Sequence, residues 1–356
     1  MMNQVRFIAF FLLCTAFASK AQSFQHFFTG DTSDVTTRTA GGVVLMGGAT
    51  ENDAAMRWFL QQSGGGDIVV LRASGGDGYN QYLFTELGIL VNSVETILTT
   101  SRQAALEAYV ARQIRNAEGL WIAGGDQSNY LNFWKDGPVA EAIQYLISVK
   151  KAPVGGTSAG MAILGQAYFA AYHETILSEE ALKNPYDKNA TIGYNDFIHY
   201  PDLQTVITDT HYDHPDRKGR HVSFMARLIQ DFQIVPKGIA CEEYTAVCID
   251  SAGWARVYGN YPEKQDFAYF IQVNDEFAGN KPQVCVAKKP LEWSQNHAVL
   301  KVWKAPGSPD GSTRFNMRDW STTQGTAGFW ENWWVENGVL HQAPRPLIEP
   351  VLIKKP

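Results

Sequence analysis

Three features of the sequence predict an α/β fold: a mostly parallel sheet, helices on both its faces, and a small β-rich C-terminal extension. First, short β-branched apolar runs alternate with amphipathic stretches from residue 41 onward. Second, four of those runs close on paired glycines, at Gly47-Gly48, Gly75-Gly76, Gly124-Gly125 and Gly155-Gly156. Third, helical periodicity fades beyond about residue 275, and six of the ten tryptophans lie between Trp293 and Trp334. Strands alternating with helices build parallel sheets, whose ligands bind beyond the carboxyl ends of the strands. The glycine-ended loops therefore mark one sheet edge as the functional one.

Each element follows from its local pattern. Arg6 precedes an apolar run at 7–18 that is too short to span a bilayer comfortably. Ser19-Lys20-Ala21 then places small residues at the two recognition positions of a cleavage site. The reading is a secretory signal peptide, 1–21, removed before Gln22, and a secreted or periplasmic mature protein. Cys14 follows Leu12-Leu13 and lacks the small residue that a lipoprotein site needs. The runs "GGVVLMGGA" (41–49), "DIVVLRASGGDG" (67–78), "VETILTT" (94–100), "GLWIAGGDQ" (119–127) and "APVGG" (152–156) read as strands. Between them, 54–61, 104–116 and 139–150 read as helices; Leu106, Tyr109, Val110 and Ile114 share one face of the second. Further on, 166–174 and 204–211 read as strands, 217–232 as a helix and 237–250 as strand-rich, while the polar stretch 178–200, with Pro185, reads as a surface insertion. The α/β domain is expected over 22–275 and the Trp-rich extension over 276–356.

Composition sets limits on partners. The chain is 45% hydrophobic and 19% charged, as globular proteins are. Removing 1–21 takes away Arg6 and Lys20 and no acid, so the formal charge moves from −6 to −8. Such a protein repels phosphate backbones, which argues against nucleic acid. No later stretch has the length and apolarity of a membrane helix, so no membrane partner is expected after cleavage. The mature chain keeps Cys241, Cys248 and Cys285, an odd set that allows one disulfide at most. Oligomeric state is open, with a homodimer the assembly to test.

Gly156-Thr157-Ser158-Ala159-Gly160 fits the nucleophile-elbow pattern G-x-S-x-G. A serine on a sharp strand-to-helix turn is strained, and its flanking residues must be tiny for strand and helix to approach. The Ala159 N–H would then face an oxyanion. Serine also needs a base, and the base an orienting acid. Among eight histidines, His211 ends a buried-type strand, as a residue at the sheet edge should; His173 and His199 lie in or near the insertion, and His214 beside Pro215. For the acid, Glu242 and Glu243 both interrupt an apolar run, and side-chain alternation lets only one face a given side.

Rival readings of the same residues are weaker. Asp209, His211, Asp213 and His214 crowd four potential metal ligands into one loop, but their spacing matches no defined metal motif. "SGGGD" and "SGGDG" lack the G-x-G-x-x-G geometry of dinucleotide sites. The late tryptophans could stack sugars, although packing in a small β layer is their simpler use.

The chain resembles the serine peptidase family of cyanophycinase and dipeptidase E over about residues 40–250. The likeness rests on "GGAT" (47–50), "GGDQ" (124–127), "GGTSAG" (155–160), "TDTHYDHPDRKGR" (208–220) and "GIACEEYTA" (238–246), in the family's order. It implies a class I glutamine amidotransferase-like fold with serine at the elbow. It further implies a Ser–His–Glu triad of Ser158, His211 and Glu243, the last chosen over Glu242 because it matches the family's E-x-T-A. The resemblance also points to Gln127, Asp209, Arg217 and Arg220 as substrate-binding residues. Two departures fall beside the substrate side chain: Pro215 replaces an arginine, and Thr210 a glutamine.

The expected function is a secreted serine exopeptidase or dipeptidase that hydrolyses a peptide or β-aspartyl amide bond through an acyl-enzyme. Ala159 and Gly125 N–H groups are expected to form the oxyanion hole, and no metal or organic cofactor is required. The expected partner is a peptide, a β-aspartyl dipeptide or a β-aspartyl polymer. The alternatives are an inactive secreted protein that binds peptide or carbohydrate, and an esterase using the same triad.

Overall fold

The structure, a computed structural model, describes residues 23–346. The signal peptide expected at 1–21 lies outside them. The first half runs β1 (Gln25–Gly30), β2 (Val43–Met46), α1 (Asp53–Gln62), β3 (Asp67–Arg72), α2 (Gly78–Gln81), β4 (Ser93–Leu98), α3 (Arg102–Ala105), α4 (Ala108–Asn116), β5 (Gly119–Ile122), α5 (Gln127–Trp134), α6 (Pro138–Tyr145), β6 (Val154–Thr157) and α7 (Ala159–Ala162). The local causes are readable. The Asn52 side chain caps α1 by accepting from the N–H groups of Ala54 and Ala55, both at 3.1 Å, and Pro138 opens α6 where a missing N–H costs nothing. Every residue of β2, β5 and β6 is buried, as in a sheet covered on both faces.

The second half runs β7 (Ala167–Phe169), α8 (Ser178–Lys183), β8 (Ile192–Tyr194), β9 (Val206–Asp209), α9 (Lys218–Phe232), β10 (Lys237–Cys241), β11 (Ala246–Ile249), β12 (Trp254–Tyr258), β13 (Phe267–Val273), β14 (Leu300–Pro306), β15 (Thr313–Asn316), β16 (Thr323–Gln324), β17 (Phe329–Glu336) and β18 (Val339–Pro344).

The fold is α/β with a β-rich C-terminal region, and its strands divide between two sheets. The first has the order β1-β4-β3-β5-β6-β2-β11-β12-β15-β16, the second β18-β17-β14-β13-β10-β9-β7-β8. Parallel pairing is confined to β4-β3-β5-β6-β2 in the first sheet and β10-β9-β7 in the second. The chain changes sheets after β6 for a geometric reason. A parallel return to the same sheet needs a crossover of about a dozen residues or more. Here α7 is a single turn, and the chain passes directly into β7 of the second sheet.

Two stretches differ from the sequence reading. β1 was not expected, and it edges the first sheet antiparallel to β4. The stretch 178–200, expected as a surface insertion, contributes α8, with Ala181 and Leu182 buried, and β8, paired with β7. The Trp-rich segment is β-rich as expected, and it extends both sheets, with β14 paired to β13 along its whole length and β15 to β12. Trp293, Trp303, Trp320 and Trp333 are buried, so packing is their main use. Among the described residues no helix is long and apolar enough to cross a membrane. Cys241, Cys248 and Cys285 are unpaired and buried.

Helix α9 buries His221 completely. Its Nε2–H donates to the Ile207 carbonyl at 3.3 Å, and its Nδ1 faces the Tyr212 hydroxyl at 3.2 Å, an arrangement that suits a neutral ring. Burial pushes its pKa down to about 4. The unfolded chain therefore takes up a proton at a higher pH than the folded one, so stability is present above about pH 6.5 and is lost as pH falls towards 4. The contribution is on the order of 3 kcal/mol. Melting temperatures recorded from pH 7 to 4 should fall more steeply for the parent than for His221→Phe; parallel curves would remove His221 as the cause.

Candidate active site

Ser158 sits where β6 turns into α7. Its φ of 52° and ψ of −118° lie in a region that L-residues avoid. The glycines around it are required by contact. A Cβ on Gly156 would come within 2.5 Å of the Gly160 carbonyl carbon, and one on Gly160 within 2.2 Å of the Ile122 carbonyl oxygen. The turn is pinned to the neighbouring strand, because the Ser158 N–H donates to the Met46 carbonyl at 3.0 Å.

His211 and Glu243 arrive from the other sheet. His211 follows β9, and Glu243 follows β10, which lies parallel to β9, so both emerge at one edge. The glycine end of β2 joins the two sheets there. The His211 N–H donates to the Gly47 carbonyl at 2.8 Å, the Gly47 N–H to Thr245 at 2.9 Å, and the Tyr244 N–H to Gly48 at 3.1 Å. Gly48 has φ +118°, and a Cβ there would stand 2.4 Å from Nε2 of His211, so only glycine leaves room for the imidazole. His211 and Tyr244 also have positive φ, of 46° and 63°. Unfavourable backbone conformations thus cluster at or beside all three side chains.

The side chains form one hydrogen-bonded chain. Ser158 Oγ is 2.9 Å from His211 Nε2, and His211 Nδ1 is 2.6 Å from Glu243 Oε1. A carboxylate can only accept, so Nδ1 carries the proton and Nε2 is left to accept from the serine hydroxyl. The two adjacent glutamates, both beyond the end of β10, face different ways. Glu242 turns inward and accepts from the Tyr269 hydroxyl at 2.7 Å and the Phe267 N–H at 2.9 Å, and burial raises its pKa. Glu243 turns to the histidine, while its own N–H donates to Asp213 Oδ1 at 3.0 Å.

A cavity of about 290 Å³ opens in front of Ser158. Gly125, Gln127, Ala159, His211, Arg217 and Arg220 border it, so most of the residues singled out from the sequence meet there. Among the described residues, the Ala159 and Gly125 N–H groups have no backbone acceptor, as groups reserved for an oxyanion should. Because α7 is one turn long, these individual N–H groups matter more than a helix dipole. Arg217 donates through Nη1 to the Thr210 carbonyl at 3.0 Å; burial, then the charge of Arg220, lowers its pKa to about 10, so it stays charged at neutral pH.

Asp209 departs from its expected role. It is buried, does not border the cavity, and has both oxygens taken by Arg220, at 3.0 and 2.5 Å. Burial works to raise its pKa, but the charge and hydrogen bonds of Arg220 prevail and hold it below the ordinary value. Of the four residues in the rival metal reading, Asp209, His211 and Asp213 hydrogen-bond protein groups. Among the described residues, no three His, Cys, Asp or Glu side chains converge as a metal site.

The sequence reading missed one wall of the cavity. Phe169, Ala171, His173, Glu174 and Thr175 line it, on the segment that leaves β7. Nothing local marks them: they carry no motif, and only the change of sheet after α7 brings them opposite Ser158.

Comparison with known proteins follows this geometry. The model of Peptidase family S51 matches residues 78–255. Over 177 residues the chain is 25% identical to a cyanophycinase of Trichormus variabilis, covering 50% of this chain and 53% of that protein. Over 179 residues it is 25% identical to a cyanophycinase of Synechococcus elongatus, covering 50% and 49% respectively. The chain thus spans about half the length of the curated relatives it matches. A crystal structure of a peptidase from an acI-B1 actinobacterium superposes with a TM-score of 0.47 at 12% identity, covering 65% of this chain and 91% of that one.

Proposed function

The chain belongs to peptidase family S51, and we propose that it is a serine-type exopeptidase that cleaves a peptide or β-aspartyl amide bond with Ser158, His211 and Glu243. The observation that carries this reading is the continuous chain from Ser158 Oγ through His211 to Glu243 Oε1, beside a cavity of about 290 Å³ that fits one or two residues of substrate.

In the proposed reaction, Ser158 Oγ attacks the scissile carbonyl carbon as its proton passes to His211 Nε2. The carbonyl oxygen becomes an oxyanion facing the Ala159 and Gly125 N–H groups, each such donor being worth about 10²- to 10³-fold in rate. The C–N bond then breaks, and His211 gives its proton to the departing amine. Water attacks the resulting ester, losing a proton to His211, and the returning proton releases Ser158 and a free acid. Glu243 holds the imidazole in the useful tautomer and stabilises its charged form. Arg217, charged and with most of its donors free, would grip a substrate carboxylate, and Gln127 would contact the same substrate. Arg217 at the cavity and the cyanophycinase relatives support a substrate with an aspartyl unit on the acyl side. The pattern at 1–21 supports export, and on that reading the substrate is met in the periplasm or outside the cell.

The test is a hydrolysis screen of β-Asp-Arg, β-Asp-Lys and α-linked Asp dipeptides, run beside fluorophosphonate labelling located by mass spectrometry. The label is expected on Ser158, with turnover of at least one dipeptide; labelling elsewhere with no dipeptide cleaved would sink the proposal. The paired glutamates supply a sharper check. Glu243→Gln should lower kcat by about 10³- to 10⁴-fold with little change in melting temperature. Glu242→Gln should lower the melting temperature while sparing kcat, since it acts only on Tyr269 and Phe267. The opposite pattern would reassign the acid.

A further inference from the structure

We infer that Arg220 is a positioning residue, acting through Asp209 on His211, and that it does not itself bind substrate. The inference rests on the reading of Ser158 and His211 as nucleophile and base. It begins with a donor count. A guanidinium has five N–H groups. In Arg220, Nε and Nη2 reach the two oxygens of Asp209 at 3.0 and 2.5 Å, and Nη1 reaches Thr175 Oγ1 at 3.1 Å and the Ile176 carbonyl at 3.4 Å. One N–H remains, on a side chain only 3% exposed. Gripping a carboxylate with two parallel bonds needs two. Arg217 spends a single N–H on Thr210 and keeps the rest.

The bonds of Arg220 lead instead to the catalytic loop. Asp209 Oδ1, held by Arg220, also accepts from the Thr210 N–H at 2.8 Å. The Thr210 carbonyl in turn accepts from Arg217 at 3.0 Å. The next residue is His211, whose φ of 46° needs support from its surroundings. On its other side the guanidinium lies 5.1 Å from the centre of the Phe169 ring and bonds Thr175 and Ile176, which ties down the far wall of the cavity. One buried ion pair therefore sets the base and the opposite wall together.

The experiment compares a carboxylate-bearing dipeptide with its carboxamide analogue in the parent, Arg217→Gln, Arg220→Gln and the neutral double variant Asp209→Asn/Arg220→Gln. Arg217→Gln should erase the preference for the carboxylate. Arg220→Gln should keep that preference, lower kcat by about 10²-fold on both substrates, the usual cost of misplacing a catalytic group by about 1 Å, and slow fluorophosphonate labelling of Ser158 to match. The double variant removes both charges, so it leaves no buried charge unpaired if the single variant melts; the same pattern is expected of it. A preference lost in Arg220→Gln or the double variant, with labelling still at the parent rate, would return Arg220 to the substrate site. A parent protein that takes no label at all overturns the nucleophile reading, and this inference with it.

Discussion

Ser158→Ala is expected to lower turnover by about 10⁶-fold while leaving the melting temperature within a few degrees of the parent. The size follows from the way a triad works. Removing the nucleophile removes the covalent route, and only the oxyanion donors and substrate binding remain. The fold should tolerate the change, because the hydroxyl makes one hydrogen bond, to His211, and the strained backbone is held by its N–H bond to the Met46 carbonyl and by the Ala162 N–H, which donates to the Ser158 carbonyl. Alanine keeps the small volume that the elbow demands. The measurement is single-turnover cleavage of whichever dipeptide the parent hydrolyses, with a thermal melt on the same sample. A variant that retains more than about 10⁻³ of parental turnover would show that another group attacks the carbonyl.

Gly48→Ala is expected to lower kcat by about 10²-fold, although Gly48 carries no chemistry. Its added methyl would lie 2.4 Å from both Cε1 and Nε2 of His211, and its φ of +118° is foreign to alanine. The ring must swing away from Ser158, and a displacement of about 1 Å costs roughly 10²-fold in rate. The backbone strain adds about 1 to 2 kcal/mol of destabilisation, which a melt will register as a separate quantity. Gly76→Ala is the control, since a Cβ there meets nothing within 4 Å. Equal kcat in Gly48→Ala and the parent would mean that the ring does not need its present place.

The two predictions differ in how visible their residues are in the sequence. Ser158 is legible because the elbow is local: Gly156 packs against Gly160 across the turn that holds Ser158, so much of the constraint is written in five consecutive residues. His211 is partly legible, as a polar residue ending a buried strand. The choice between Glu242 and Glu243 is legible only through the family resemblance, not from local pattern. Alternation says that they face opposite ways, and the position of β13, which offers Tyr269 and Phe267 to Glu242, says which way is which. Asp209 and Arg220 lie eleven positions apart and read as two separate polar residues. Their pairing inside the protein removes one from the substrate and leaves the other a single free donor.

By itself the sequence determined the alternation of strands and helices, the glycine-ended sheet edge and the strained serine, because each is a relation among residues within a few positions of one another. Tertiary structure decided that the strands form two sheets and that these meet at Gly47-Gly48. It also decided that the segment after β7 becomes a wall of the cavity. The reason is the length of α7. A single turn cannot carry the chain back over the first sheet, so the histidine and glutamate reach the serine from the second one, across contacts that no local pattern encodes.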